Sequence, residues 1–203
     1  MNLIDERIMK HIVIIGNGIA GITAARYIRK MSDHAITVIS AESKHFFSRT
    51  ALMYEYLGHM KFEDIKPYED FFWGKSIHYD ELIIAAGSTF NKFNWPGQDL
   101  EGGGGLYSLQ DLDYMETYTR DAQRGVVVGG CLIGIEMAEM MHARHIDVTF
   151  LVREKSYWNN VLPPEESEMI NQHIRKHHID LRLGEELAEI LPDERGRVNA
   201  VIT

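Results

Sequence analysis

The residues of this chain that can do chemistry gather at two glycine turns and at the acids and cations that follow them. The first turn is Gly16-Asn17-Gly18-Ile19-Ala20-Gly21, a G-x-G-x-x-G spacing that carries meaning when it joins a strand to a helix. Gly16 permits a tight turn, Gly18 lets the backbone approach a pyrophosphate, and Gly21 lets the helix lie close to the strand. Amides at the helix start, those of Ile19 and Ala20, then face phosphate oxygens with the positive end of the helix dipole behind them. The chemistry implied is dinucleotide binding. Glu42, 21 positions past Gly21, stands where an acid meets ribose hydroxyls; the plainer reading is a loop carboxylate. Arg49, after Phe46 and Phe47, is either a solvated helix-start arginine or a cation facing the anionic or reactive end of the cofactor.

The second turn is Gly129-Gly130-Cys131-Leu132-Ile133-Gly134. Cys131 occupies the place of the middle glycine, where a side chain crowds the approach of a pyrophosphate. As the only cysteine it has no partner for a disulfide, and a thiol nucleophile activated by a helix N-terminus alone is set aside. Arg153 and Glu154 lie 19 and 20 residues past Gly134. Glu154 would bind ribose hydroxyls and favour NADH; Arg153 would bind a 2′-phosphate and favour NADPH. The spacing leaves both open. His173, His177 and His178 fall near one another, but with a lysine and an arginine beside them and no matching carboxylate they read as a surface helix face rather than a metal site.

The elements that must position these groups repeat. A strand over Ile12–Ile15 leads into a helix over Ile19–Met31, with Ile22, Ala25, Ile28 and Met31 on one face and Arg26, Arg29 and Lys30 outward. A second strand spans Ala35–Ser40, and Tyr79–Ser88 is a further strand running into the small-residue turn Ala86-Gly87. From Gly125 the order returns: valine strand, glycine turn, helix, then a strand over Asp147–Val152. Gly16 and Gly129 are 113 residues apart, and two such units are far more specific than one. Pro163 and Pro164 open a helix with Glu165 and Glu166 in its first turn. Leu181–Leu183, a hairpin near Asp193–Gly196 and a strand over Arg197–Thr203 follow. Four consecutive glycines, Gly102–Gly105, predict a flexible connection. The expected fold is α/β, two Rossmann-like, doubly wound, mostly parallel units with β-hairpin additions, residues 1–100 and 106–203.

Composition narrows the function classes. A formal net charge of −9 over 203 residues argues against nucleic acid and anionic membrane as partners. No apolar run is long enough to span a bilayer. The opening MNLIDERIMK has no apolar core of a signal peptide, so a cytoplasmic protein is expected.

Taken together, IIGNGIAGITAA, SRTAL, YDELIIAAGS, WPG, VVVGGCLIGIEMAE and VTFLVRE resemble the FAD-dependent pyridine nucleotide–disulfide oxidoreductases. The resemblance is to the branch holding NADH-dependent rubredoxin reductases, ferredoxin reductases and the flavin part of assimilatory nitrite reductases. It implies FAD on Gly16, Gly18, Gly21 and Glu42, with Arg49 near the flavin and Ala86-Gly87 at the family's alanine-threonine-glycine strand end. It implies NADH or NADPH on the second unit, with Glu136 near the nicotinamide. The implied activity is hydride transfer to flavin and onward to an acceptor, with a redox-partner protein as one class of acceptor.

The departures also carry information. No cysteine pair is present for a redox-active disulfide, and Arg49 stands where the single-thiol branch keeps its cysteine. Tyr54 stands where ferredoxin reductases carry a lysine, and Ala86 replaces the usual threonine. Antiparallel strands that the family places between Trp73 and Gly74 are missing, and the chain stops at Thr203, so it reads as a shortened chain with weak flavin retention. The alternative is a catalytically incompetent nucleotide-binding fragment. A single-cofactor dehydrogenase leaves the second turn unexplained.

Overall fold

The computed structural model describes residues 9–43, 46–59 and 76–203. The expected loss of strands between Trp73 and Gly74 lies outside the described residues. Contacts divide the chain into two compact units, Met1–Ala51 with Met60–Thr89, and Leu52–His59 with Phe90–Thr203. The division thus falls at Thr89/Phe90, ahead of the glycine run at which the sequence places the boundary.

In the first unit β1 (His11–Ile15) leads through α1 (Ile19–Met31) to β2 (Ala35–Ile39), and β3 (Glu81–Ile84) lies on the other side of β1. Both pairings are parallel, with Ile14 opposite Val38 and Ile83. β-branched residues suit a strand between two neighbours, and Ile12, Val13 and Ile14 are buried. Side chains alternate across a sheet. Ile14 therefore faces α1, where its Cγ2 would touch a Cβ on Gly21. On the other face Ile15, Leu82 and Ile84 are exposed, Ile84 at 72 %. Helix α1 keeps its limits as expected from sequence, closed by Ser32, whose N–H and Oγ–H both donate to the Ile28 carbonyl at 2.9 Å. Met31 departs from the expected face: in the last turn before that stop, it is 71 % exposed. The short α2 (Ala51–Tyr56) follows, its residues from Leu52 onward belonging to the second unit.

The second unit opens with α3 (Leu109–Thr119), held by a reciprocal capping box between Ser108 and Asp111. β4 (Arg124–Val128), α4 (Leu132–Ala143), β5 (Asp147–Val152), α5 (Pro164–Lys176) and β6 (Asp180–Leu183) build a parallel sheet in the order β4-β5-β6. Its core is Val127, Ala138, Val148, Phe150, Val152, Tyr157, Ile174, Ile179 and Leu181. β7 (Glu189–Pro192) and β8 (Val198–Ile202) form the expected hairpin. Its turn rests on Asp193, whose Oδ1 accepts the Arg195 and Arg197 amides at 2.8 Å each.

The glycine run is not the loose connection its composition suggests. Gly102 N–H donates to Tyr114 Oη at 2.8 Å, Val198 N–H donates to the Glu101 carbonyl at 2.8 Å, and a Cβ on Gly105 would lie 2.4 Å from Phe90 Cγ. Packing against the aromatic side chains fixes what the local sequence leaves free. No helix of the described residues is long and apolar enough to cross a membrane.

Candidate functional site

Parallel strands end on one side of their sheet, so in each unit the loops after the strands gather there. In the first unit these carry Gly16–Gly21, Glu42 and Ala86-Gly87. Gly16 adopts φ +107° and donates its N–H to the Ile39 carbonyl at 2.7 Å, hanging the turn on the end of β2. A Cβ there would lie 2.0 Å from the Ala85 oxygen, and a Cβ on Gly21 would lie 1.9 Å from the Gly16 oxygen. Both positions are therefore closed to any side chain. Gly18 is different. It caps α1 with φ −68° and ψ −175°, a conformation any residue adopts, and a Cβ there would meet nothing within 4 Å. The fold does not need glycine at that position. The open space does, if a phosphate is to reach the backbone. No side chain caps α1 and no acid lies in its first turn, so its leading amides face that space without a competing carboxylate. The residues fit a dinucleotide diphosphate.

Glu42 and Arg49 meet as a two-point ion pair, Nη1 to Oε1 at 3.0 Å and Nη2 to Oε2 at 2.5 Å. The arginine is thus no freely solvated cation; its guanidinium also lies 5.9 Å from the centre of the buried Phe47 ring. Ala86 and Gly87 follow β3, Gly87 at φ +76°, beside the Gly16 turn. Sequence reasoning missed Asn17: its Nδ2 donates to the Ser43 carbonyl at 3.0 Å and its Oδ1 accepts from Ser40 Oγ at 2.9 Å. That side chain bolts the glycine turn to the loop bearing Glu42. The signal was present as an amide inside a glycine turn.

The second unit repeats the geometry. Gly129 adopts φ +115° and donates to the Leu151 carbonyl at 3.0 Å, and a Cβ on Gly134 would lie 2.2 Å from the Gly129 oxygen. Gly129 itself has free space on its Cβ side because β4, unlike β1, is an edge strand among the described residues. Cys131 takes the place of Gly18 as N-cap of α4, exposed and without a side-chain cap bond. In the second turn its side chain therefore stands where the first turn, at Gly18, has none. Leu132 and Ile133, the next two residues, are exposed at 53 % and 47 %. Glu136 lies one turn further on, half-buried.

Glu154 Oε2 would lie 3.7 Å from a Cβ on Gly130, so this carboxylate stands against the glycine turn. Arg153 donates Nε–H to Glu154 Oε1 at 2.9 Å, while its side chain is 71 % exposed. That hydrogen bond holds the Glu154 carboxyl below the usual carboxylate range. Tyr157, which the sequence did not flag, donates its hydroxyl to the Cys131 carbonyl at 3.1 Å. Burial, followed by the charges of Cys131 and Glu136, pushes its phenol up to about 12. The His173 and His177 rings lie 4.6 Å apart at the end of α5, tilted 59° to one another, and no group of three or more metal-ligating side chains occurs among the described residues.

Comparison with known proteins agrees with this geometry. The profile of the pyridine nucleotide-disulphide oxidoreductases matches residues 10–70 and 61–203. The nitric oxide reductase FlRd-NAD(+) reductase of Salmonella newport is 28 % identical over 213 residues, covering 91 % of this chain and 56 % of that protein. The NADH oxidase of Methanocaldococcus jannaschii is 28 % identical over 221 residues, covering 90 % and 49 %. The covalent putidaredoxin reductase–putidaredoxin complex shares the fold at a TM-score of 0.83 and 19 % identity, covering 95 % of this chain and 54 % of that one. The chain spans about half the length of the curated relatives it matches. On its two glycine turns and the profile that takes in both, the chain belongs to the pyridine nucleotide-disulphide oxidoreductase family.

Proposed function

We propose that this chain is the nucleotide-binding portion of an FAD-dependent NAD(P)H oxidoreductase, with FAD in the first cradle and a nicotinamide dinucleotide in the second. One observation carries the reading: the same turn is built twice, with Gly16 and Gly129 near φ +110° and each donating to the end of the neighbouring strand. In the first cradle the amides of Ile19 and Ala20 receive the diphosphate, with Gly18 open beside them. Glu42, steadied by Arg49, takes ribose hydroxyls, and Ala86-Gly87 line the approach. In the second, Gly129, Gly130, Cys131, Leu132, Ile133 and Gly134 form the turn. Glu154 against Gly130 favours NADH, because a 2′-phosphate would meet its carboxylate there. Glu136 is the candidate nearest the nicotinamide.

The flavin supplies the hydride acceptor and the release of electrons onward; the protein's part is to bind, orient and exclude water. The lone thiol leaves no redox-active disulfide to intervene, and it fits a reducing, cytoplasmic setting. The names of the relatives support a redox-partner protein as acceptor. Anaerobic titration of the FAD-reconstituted chain with NADH and, separately, NADPH tests the proposal. Bleaching of the flavin by NADH ahead of NADPH is expected. Binding of both nucleotides without bleaching would instead support an incompetent nucleotide-binding fragment, and no binding would overturn both.

A further inference from the structure

We propose that Tyr157 is a positioning residue for the second cradle, bolting the loop that bears Glu154 to the glycine turn through the Cys131 carbonyl. This rests on the reading that the cradle takes a nicotinamide dinucleotide. In the first unit the equivalent bolt starts from the turn itself, where Asn17 reaches Ser40 and Ser43. The position matching Asn17 in the second turn is Gly130. A side chain fits there only if buried Val152 gives way, since a Cβ would lie 2.8 Å from Val152 Cγ1. The tie must come from the other partner, and it does. Tyr157 Oη–H donates to the Cys131 carbonyl, which also accepts the Ile135 amide at 3.3 Å and so belongs to the first turn of α4.

The other end of the bolt is fixed with equal care. Tyr157 N–H donates to Asn171 Oδ1 at 3.0 Å; Asn171, 1 % exposed on α5, donates Nδ2 to Ser156 Oγ at 2.8 Å and to Glu168 Oε2 at 3.0 Å. The loop therefore has one setting relative to α5, and the tyrosine hydroxyl transfers that setting to the glycine turn. The consequence is a fixed spacing between the amides that take the diphosphate and the Glu154 carboxylate that takes the ribose. Ligand affinity gains from such preorganisation because less ordering remains to be done on binding. The ring is held independently, stacked on Trp158 at 5.4 Å and tilted against Phe150 at 5.9 Å. Tyr157→Phe thus removes the tie and keeps the packing.

The test is isothermal titration of the full chain, parent and Tyr157→Phe, with NADH and with reduced nicotinamide mononucleotide, which lacks the adenosine half. Loss of one hydrogen bond's net contribution predicts NADH binding weakened about fivefold, with the mononucleotide unchanged. A core variant away from the ring and the turn, Val148→Ala, should lower the melting temperature while leaving the ratio of the two affinities as in the parent. Undiminished NADH binding by Tyr157→Phe, or equal losses for both ligands, would overturn the positioning role alone. Failure of the parent chain to bind NADH would overturn the nicotinamide reading, and this role with it.

Discussion

Replacing Gly18 and Gly21 separately by alanine should split binding from folding. The Gly18 backbone suits alanine, and the new Cβ meets no atom within 4 Å. Alanine is the poorer N-cap by about 1 kcal/mol, and the loss of unfolded-state freedom offsets that by roughly 0.4–1 kcal/mol. The stability of Gly18→Ala should stay within about 1 kcal/mol of the parent. Its methyl group, however, enters the space a diphosphate needs. Losing one charge-assisted amide bond costs about 2 kcal/mol, which corresponds to roughly 30-fold weaker FAD binding.

Gly21→Ala should do the reverse. Its Cβ would sit 1.9 Å from the Gly16 oxygen, a backbone atom that cannot swing aside. Helix and strand must separate by more than about 1 Å to restore van der Waals contact at roughly 3.5 Å. Overpacking on that scale costs about 1–3 kcal/mol, more than the roughly 1 kcal/mol that alanine gains in a helix. Urea unfolding followed by circular dichroism, with flavin titration in parallel, reads both quantities. If Gly18→Ala binds FAD as the parent does, or Gly21→Ala unfolds at the parent's midpoint, the assignment of separate duties to these glycines is refuted.

Other expectations follow from single contacts. Cys131→Gly removes an exposed side chain from the α4 cap and should tighten NADH binding several-fold with little change in stability; unchanged affinity by titration would remove the crowding argument. Ser167 is fully buried with no partner for its Oγ among the described residues, so Ser167→Ala should stabilise the chain by about 1 kcal/mol, read as a higher urea midpoint; a lower midpoint would reveal a hidden partner. Glu154 has its folded pKa depressed by Arg153, so its contribution is present above the ordinary glutamate pKa of about 4.3 and lost as pH falls further. Thermal melts from pH 7 to pH 3 should show a shallower acid decline in Glu154→Gln; parallel declines would deny the linkage.

The sequence by itself determined much of this protein: both glycine turns, the limits of α1, the repeat of strand, turn and helix, and the hairpin that ends the chain. These are local matters. Gly16 and Gly129 need positive φ, β-branched runs suit strands, and a period of 3.6 marks a helix, so a short window contains the cause. What only the tertiary structure decided was everything set by residues distant along the chain. It tied Asn17 to Ser40 and Ser43 and held the glycine run against Tyr114, Phe90 and Val198. It left Met31 in solvent although its spacing matched the apolar face, because burial depends on what lies opposite and not on period alone. Most of all, it replaced Asn17 by Tyr157 as the tie between turn and acid. A side chain at position 130 would press on buried Val152, and no local pattern records that Tyr157 makes the tie instead.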